Sequence, residues 1–232
     1  QKRLDKNSYP IKLAYTNAKH ESTLYGLLLS LGRHLGLQEK KTDNDKLWLP
    51  GTGLAISEVF NRILYIIEKR KINTVFVIDE IDYLAELVSK TGKDILYSIT
   101  RANERLQNGS LSLIGISNDL TFKERLDPRV ISSLSEEEIV FPNYVTNEIT
   151  EILKDRINIA FENDVVSSGA LNLCASMACG EHGDARRAID LLRVAAEIAE
   201  RNQTKPITDE HVRMAAQKIE ENKEVIALKS YP

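Results

Sequence analysis

The feature that most constrains the fold is the run VFVIDEID at residues 75–82, in which four apolar residues lead directly into acids. Val, Phe and Ile favour β-strands, and such a run bounded by charge is typical of a buried central strand in a parallel sheet. Further strands are predicted at 11–15, 111–116 and 139–141, and helices at 22–37, 57–71 (with Ser57 as N-cap) and 94–105. Strands that alternate with helices indicate a doubly wound α/β layer.

The pattern changes after Pro142. Helical apolar spacing recurs there without an evident strand, at residues 147–161, 168–179, 184–201 and 208–222. We therefore predict an α/β domain over residues 1–142 and a small all-helical domain over 143–225. Residues 226–232 are expected to begin a linker to a further domain.

Composition excludes several classes of protein. With 42% hydrophobic and 28% charged residues the chain is an ordinary globular sequence, and no stretch approaches 18 consecutive apolar residues. We expect a soluble, cytoplasmic protein that does not bind membranes. Cys174 and Cys179 lack zinc-ligand spacing and are expected to be small buried residues. Because the formal net charge is −3, any contact with DNA must use a local basic surface.

The acids that end the central strand form a Walker B pattern. A strand in a parallel sheet delivers them to the carboxyl edge, where ligands bind in open α/β folds. Asp79 would hold Mg²⁺ through its water shell, and Glu80 would orient or deprotonate the attacking water in phosphoryl transfer. The alternative is a strand that simply ends in solvated acids.

The next strand ends in the sequence GISND, which places Asn118 at the same edge. An amide can donate to a γ-phosphate and accept from a water molecule, so this side chain suits a polar sensor. Asn is also common in ordinary turns, which is the alternative interpretation.

Two arginines are candidates for contacting phosphate. Arg129 follows Pro128, which fixes the backbone and gives the guanidinium a defined direction, while Arg125 is a second candidate nearby. Arg129 would neutralise charge on a nucleotide held by an adjacent subunit; the alternative is a surface salt bridge to Glu124 or to the acidic run 136–138.

In the helical domain, Gly183 is expected to allow close backbone approach and Asp184 to cap a helix. Arg186 then lies in the first turn and would reach nucleotide phosphate, or else is merely solvated. Arg187 should face elsewhere, since neighbouring helical residues point about 100° apart.

Four segments together resemble one family: VFVIDEID, GISND, LDPRVISSLSEEEIVFPNY and EHGDARRAIDLLRVAAEIAER. They are similar, in order, to the archaeal relatives of origin recognition complex and Cdc-six proteins, which are AAA+ ATPases that mark replication origins. The resemblance implies an AAA+ P-loop base followed by a helical lid. It implies that Asn118 is sensor 1, Arg129 the arginine finger and Arg186 the sensor 2 arginine. ATP or ADP with Mg²⁺ would be the cofactors. Double-stranded origin DNA, the replicative helicase and other initiator subunits would be the partners, on the nucleoid.

Two features of the family are not found in the 232 residues. No segment matches G-x-x-x-x-G-K-[ST], the phosphate-binding Walker A loop, and no winged-helix DNA-binding domain follows the lid. We therefore expect an internal piece of an initiator that on its own binds ATP weakly or not at all. A naturally truncated, non-enzymatic interaction module is an alternative. A clamp-loader subunit is another alternative. Such subunits should show a Ser-Arg-Cys motif, whereas this chain has Asp127-Pro128-Arg129.

A DNA contact is predicted in the stretch LWLPGTGL at residues 47–54, where the family carries an initiator-specific insertion. Trp48 and Pro50 on a tight turn can wedge at a minor groove, while Thr52 and the backbone at Gly53 meet phosphate. Lys40, Lys41 and Lys46 add local positive charge. The alternative is that Trp48 and its neighbour Leu49 tuck into the domain's own surface.

Overall fold

The computed structural model describes residues 11–40, 45–91, 95–180 and 183–229. The chain divides into two compact units, Gln1–Glu137 and Glu138–Pro232. The domain boundary proposed from the sequence, after residue 142, falls five residues beyond this division. Among the described residues no helix is long and apolar enough to cross a membrane.

The first unit is built on a parallel sheet in the order β1-β2-β3. Its strands are β1 (Ile11–Asn17), β2 (Asn73–Asp79) and β3 (Ser110–Ile116), so the VFVID run is the central strand, as predicted. Alternate residues of β2 point into the core, and the side chains of Phe76 and Ile78 are fully buried.

The described helices of this unit are α1 (Leu24–His34), α2 (Ile56–Arg70), α3 (Asp82–Thr91), α4 (Ile95–Thr100) and α5 (Pro128–Ser133). The prediction that Ser57 is the N-cap of α2 is wrong. The helix begins at Ile56 with Ala55 in the cap position, so Ser57 already lies in the first turn. α3 was not predicted, and only α4 and a short 3-10 turn occupy the described part of the helix predicted at 94–105.

The strand predicted at residues 139–141 does not form. Ile139, Val140 and Phe141 are 71%, 61% and 87% exposed and lie in an irregular segment. A strand needs a neighbouring edge to pair with, and no pairing partner of this segment is found among the described residues. A run of β-branched and aromatic residues is therefore not sufficient to predict a strand.

The second unit is helical, as expected. It contains α6 (Thr146–Ala160), α7 (Ser168–Gly180), α8 (Ala185–Arg201) and α9 (Asp209–Lys229). Its core is formed by small and aliphatic side chains such as Leu153, Cys174 and Leu191, with Ala residues that let the helices approach closely. The linker expected at 226–232 stays a prediction, since α9 continues through Lys229 and residues 230–232 lie outside the described residues.

Candidate functional site

The acids and the polar side chain predicted from the sequence meet at one edge of the sheet. Asp79 is the last residue of β2, where its backbone aligns with Asn17 of β1 and Ile116 of β3. Asn118 follows two residues after Ile116 and is exposed. Parallel strands end at a common edge, so Asp79, Glu80 and Asn118 share the position at which open α/β sheets bind ligands.

Both carboxylate oxygens of Asp79 accept hydrogen bonds. The backbone N–H of Glu80 donates to Oδ1 at 3.0 Å, and the hydroxyl of Tyr15 donates to Oδ2, also at 3.0 Å. The hydrogen bond to Asp79 raises the pKa of Tyr15, because ionising the phenol would remove its proton beside a carboxylate. Tyr15 thus orients the candidate Mg²⁺ ligand.

Tyr15 was not identified from the sequence. Residues two apart on a strand lie on the same face, so Tyr15 shares a face with Asn17, which pairs in register with Asp79. Only the register of the sheet, which the sequence does not state, reveals that the phenol reaches the acid.

Glu80 has an unusual backbone conformation for an acidic residue, with φ at 49° in the left-handed region. Such conformations are costly for side chains other than glycine and concentrate at functional sites. Its Oε2 atom is buried and has no hydrogen-bond partner among the described residues. The ammonium group of Lys19 lies 3.8 Å from this atom and 5.4 Å from the centre of the Tyr83 ring. The Oε2 atom can therefore still accept a proton or a hydrogen bond from a water molecule.

The loop that carries Asn118 is tied to the helix that follows the acids. The hydroxyl of Ser117 donates to Oδ1 of Asp82, the first residue of α3, at 2.7 Å and accepts from the backbone N–H of Asp119 at 3.0 Å. The acidic turn and the Asn118 loop are thus connected by a serine that sequence analysis did not single out.

Arg129 lies in the first turn of α5, as its position after Pro128 suggests. Its guanidinium makes two hydrogen bonds to Asp127, from Nε to Oδ1 at 3.0 Å and from Nη2 to Oδ2 at 2.9 Å. The side chain is 75% exposed. Arg129 thus forms a surface salt bridge, as in the alternative considered from the sequence, with Asp127, an acid that the alternative did not name and that also caps α5.

The pairing has an electrostatic consequence. Hydrogen bonds from Arg129 lower the pKa of Asp127 to about 2, so the acid stays ionised beside the arginine. Arg125, the second candidate, is instead paired with Asp119.

Arg186 lies at the start of α8 in the second unit and is exposed. Asp184 caps this helix, as predicted, by accepting a hydrogen bond from the Arg186 backbone N–H at 2.8 Å. Gly183 has φ at 65°, and a Cβ atom there would lie 2.5 Å from the carbonyl oxygen of Tyr144, which confirms the predicted close approach. Arg187 faces elsewhere, also as predicted: its side chain is 12% exposed and lies 3.7 Å from the carboxylate of Glu220.

The loop predicted to touch DNA is anchored at its base and exposed at its tip. The indole N–H of Trp48 donates to the carbonyl of Glu39 at 2.8 Å, and Leu49 is completely buried. The carbonyl of Pro50 accepts from the hydroxyl of Tyr25 at 2.6 Å. The alternative interpretation is therefore correct for Leu49, whereas Trp48 is only half-buried.

The tip itself extends into solvent. Gly51, Thr52 and Gly53 are all exposed, and a Cβ atom added at either glycine would meet no atom within 4 Å. Lys40 and Lys46 beside it are exposed too, whereas Lys41 lies outside the described residues.

The expectation of small buried cysteines is met by Cys174 and only in part by Cys179. Cys174 is buried, which raises the pKa of its thiol to about 12, and Cys179 is half-buried and unoxidised. Among the described residues no group of three His, Cys, Asp or Glu side chains could hold a metal ion.

Comparison with known proteins agrees with this arrangement. Residues 150–217 match the family model of the Cdc6 AAA+ ATPase-type lid domain. The chain is 64% identical over 232 residues to an ORC1-type DNA replication protein of Cenarchaeum symbiosum, covering all of this chain and 55% of that protein. It is 42% identical over 227 residues to the ORC1-type DNA replication protein of Thermococcus onnurineus, covering 98% of this chain and 52% of the relative.

A solved structure with the same fold is that of Aeropyrum pernix ORC1 in complex with DNA. It superimposes with a TM-score of 0.79 at 38% sequence identity, and the alignment covers all of this chain and 56% of that one. The chain thus spans about half the length of the curated relatives it matches.

The parallel sheet with acids at its carboxyl edge, followed by a helical lid, defines the AAA+ class. Within that class, the lid model and the relatives along the whole chain show that this chain belongs to the ORC1/Cdc6 family.

Proposed function

We propose that this chain is part of a DNA replication initiator that binds origin DNA under the control of ATP and ADP. The observation that carries the proposal is the set of acids and polar groups at the carboxyl edge, in a chain 64% identical throughout to an ORC1-type DNA replication protein. The same residues in a chain without such relatives would indicate only a generic nucleotide hydrolase.

The residues at the edge fit a nucleotide-bound Mg²⁺. Asp79 is oriented by its two hydrogen bonds, and Glu80 keeps a buried oxygen without a hydrogen-bond partner among the described residues. When bound, Mg²⁺ supplies neutralisation of the charge that develops on the phosphates. Asp79 would hold its water shell, and Glu80 would accept a proton from the water that attacks phosphorus.

Three further residues have proposed roles around the γ-phosphate. Asn118 would orient the attacking water and sense the γ-phosphate from the neighbouring strand end. Arg129 would act as the arginine finger toward a nucleotide in an adjacent subunit, which requires it to leave Asp127. Arg186 would report the nucleotide state to the lid. The exposure of both arginines supports these roles, since each must reach a phosphate outside its own helix.

The partners follow from the family. Aeropyrum pernix ORC1 has been solved in complex with DNA, and this chain resembles it over its entire length. We propose double-stranded origin DNA as the ligand of the Trp48–Gly53 loop, with other initiator subunits and the replicative helicase as protein partners. The exposed tip supports the loop's role, since backbone N–H groups and the Thr52 hydroxyl are accessible to phosphate.

Duplex binding tests this proposal. We expect the 232-residue polypeptide to bind origin duplex. Trp48→Ala should weaken binding about tenfold, because it removes an apolar contact and the indole that anchors the base of the loop. Trp48→Ala alone does not separate contact from loop structure. Thr52→Val supplies the separation, since it keeps the shape of an exposed residue and removes only the hydroxyl.

We expect Thr52→Val to weaken binding a few-fold with an unchanged melting temperature. Equal affinity of both variants and the unaltered chain, with an unchanged salt dependence, would remove the loop from the DNA contact.

A further inference from the structure

A basic groove lies on the outer face of α2. It has a volume of about 400 Å³ and is open to solvent, and its polar lining includes Lys46, Asn61, Arg62, Tyr65 and Arg105. The sequence analysis named only Lys46 among these residues and did not reveal a groove, because the lining comes from three separate segments of the chain.

An aromatic ring in the lining of the groove, that of Tyr65, contacts two cations. The ammonium group of Lys46 lies 5.0 Å from the centre of the Tyr65 ring, and that of Lys69, one helical turn later on α2, lies 5.8 Å from it. Cation–π contacts of this kind keep the lysine side chains over the groove and leave the charges at the surface. Arg105 is exposed and donates to the side chain of Asn61 at 2.7 Å, which places a third cation on the same face of the helix.

The acids in the groove are already engaged by the protein. Glu58 accepts from Nε of Arg62 at 3.0 Å. Glu68 accepts from the backbone N–H of Gln107 at 2.9 Å and from the side-chain amide of Asn108 at 2.6 Å, and these hydrogen bonds lower its pKa. Their carboxylates therefore serve the fold, while Lys46, Lys69 and Arg105 face solvent.

The groove is continuous with the loop proposed to touch DNA. Arg62 lies between them: its guanidinium is 5.8 Å from the centre of the Trp48 ring and donates to the Trp48 carbonyl. The positive surface extends from the Trp48–Gly53 loop along α2, in a chain whose formal net charge is −3. A polyanion that reaches the loop meets these three cations next.

We propose that this groove binds the sugar–phosphate backbone of duplex DNA, through Lys46, Lys69 and Arg105, as a second contact beside the Trp48–Gly53 loop. The inference rests on the proposed function and extends it by a surface outside the loop. An open groove with three exposed cations suits a continuous backbone, and contacts to phosphate carry no sequence information.

The dependence of duplex affinity on salt tests the groove. Each phosphate contact contributes about 0.9 to the slope of log K against log salt concentration. We expect Lys46→Ala, Lys69→Ala and Arg105→Ala together to lower that slope by about 2.7 and to weaken binding at least tenfold at moderate salt. The loss should be the same on origin and on random-sequence duplex.

A matched variant keeps the test specific. Lys154→Ala, Arg193→Ala and Lys205→Ala remove the same number of charges from exposed, paired residues of the second unit. This variant should retain a larger slope than the groove variant. All substituted side chains are on the surface, so melting temperatures should stay close to that of the unaltered chain.

The outcomes separate the groove from the proposed function. If the unaltered chain binds duplex and the two triple variants lose slope equally, the groove is not a contact, while the initiator role stands. If the groove variant keeps its slope and only Trp48→Ala binds weakly, the loop is the whole contact of this unit. If the unaltered chain binds no duplex even at low salt, the DNA part of the proposed function fails and the groove fails with it.

Discussion

The described part of the first unit has an acidic surface and a basic surface. The sequence predicted the acidic surface, whereas the basic groove became evident only in the structure. The acidic one occupies the carboxyl edge of the sheet, at Asp79 and Glu80. The basic one runs along α2 toward the amino ends of the strands, where Glu68 binds the turn just before β3. The acidic edge is a contiguous motif because one strand delivers it, whereas the basic groove is assembled from residues 46 to 105.

The two surfaces differ in how precisely they must position the group that they bind. Phosphoryl transfer needs a few atoms in fixed positions, so its residues end a rigid buried strand and are oriented by hydrogen bonds such as that from Tyr15. A nucleic-acid backbone needs only charge at roughly the right spacing, so exposed lysines on flexible stems suffice. The predictions that follow test whether the two surfaces are as separate as this account requires.

The largest effect is expected at the acidic edge. In the natural protein that contains these 232 residues, Glu80→Gln should lower the rate of ATP hydrolysis at least 100-fold, because the amide cannot accept the proton from water. ATP affinity should change less than about threefold, since Asp79 and not Glu80 is the proposed Mg²⁺ ligand. Single-turnover hydrolysis and equilibrium binding measure the two quantities.

Glu200→Gln is the matched control for that substitution, since Glu200 is exposed on α8 and loses the same charge. Duplex binding by Glu80→Gln should be unchanged in the absence of nucleotide. Equal loss of hydrolysis in both variants would contradict the role of Glu80.

A stability effect is expected at the end of α2, beside the basic groove. Lys71 follows this helix in the left-handed conformation, with φ at 51°, which costs a non-glycine residue about 1 kcal/mol. Lys71→Gly should therefore stabilise the first unit by about 0.5–1 kcal/mol, while Lys71→Ala, which removes the same charge and keeps the strain, should not. Urea denaturation followed by the fluorescence of Trp48, the single tryptophan, reports on this unit.

Much of the fold could be predicted, for physical reasons that differ from one element to the next. β2 was found because Phe76 and its neighbours form a continuous strand-forming run, and the helices of the second unit because their apolar spacing is regular. The strand at 139–141 was wrong, since local pattern cannot supply a pairing partner. Contacts across the chain, such as Tyr15 with Asp79 or Lys46 with Tyr65, depend on register and helix rotation, which no local pattern encodes.

A smaller effect is expected from the residue that orients Asp79. Tyr15→Phe removes the hydrogen bond to Oδ2 and leaves the ring in place. We expect the Mg²⁺ concentration that half-saturates hydrolysis in the natural protein to rise about threefold, because the carboxylate loses one of its two orienting contacts. Tyr25→Phe is the control, as that hydroxyl bonds Pro50 in the DNA loop. A rise of the same size in both variants would show that the effect is not specific to Asp79.

The smallest effect concerns acid stability. The pKa of Asp127 is lowered to about 2, so its contribution to stability is present above about pH 4 and is lost as the pH falls through 2. Asp127→Asn should therefore lose less stability between pH 4 and pH 2 than the unaltered chain. Denaturation midpoints at pH 5, 3 and 2 measure this, and parallel curves for the two proteins would rule out the effect.

The measurement that tests the central claim most directly is the equilibrium binding of ATP and ADP, with Mg²⁺, to the 232-residue polypeptide. Hydrolysis is assigned to Asp79 and Glu80. Tight phosphate binding is assigned to a glycine-rich loop, and the motif of that loop does not occur in the 232 residues. It therefore predicts no saturable binding with a Kd below about 10 μM, which corresponds to roughly −7 kcal/mol. Tight, Mg²⁺-dependent binding would mean that another part of the chain cradles the phosphates, and the proposed site would be wrong.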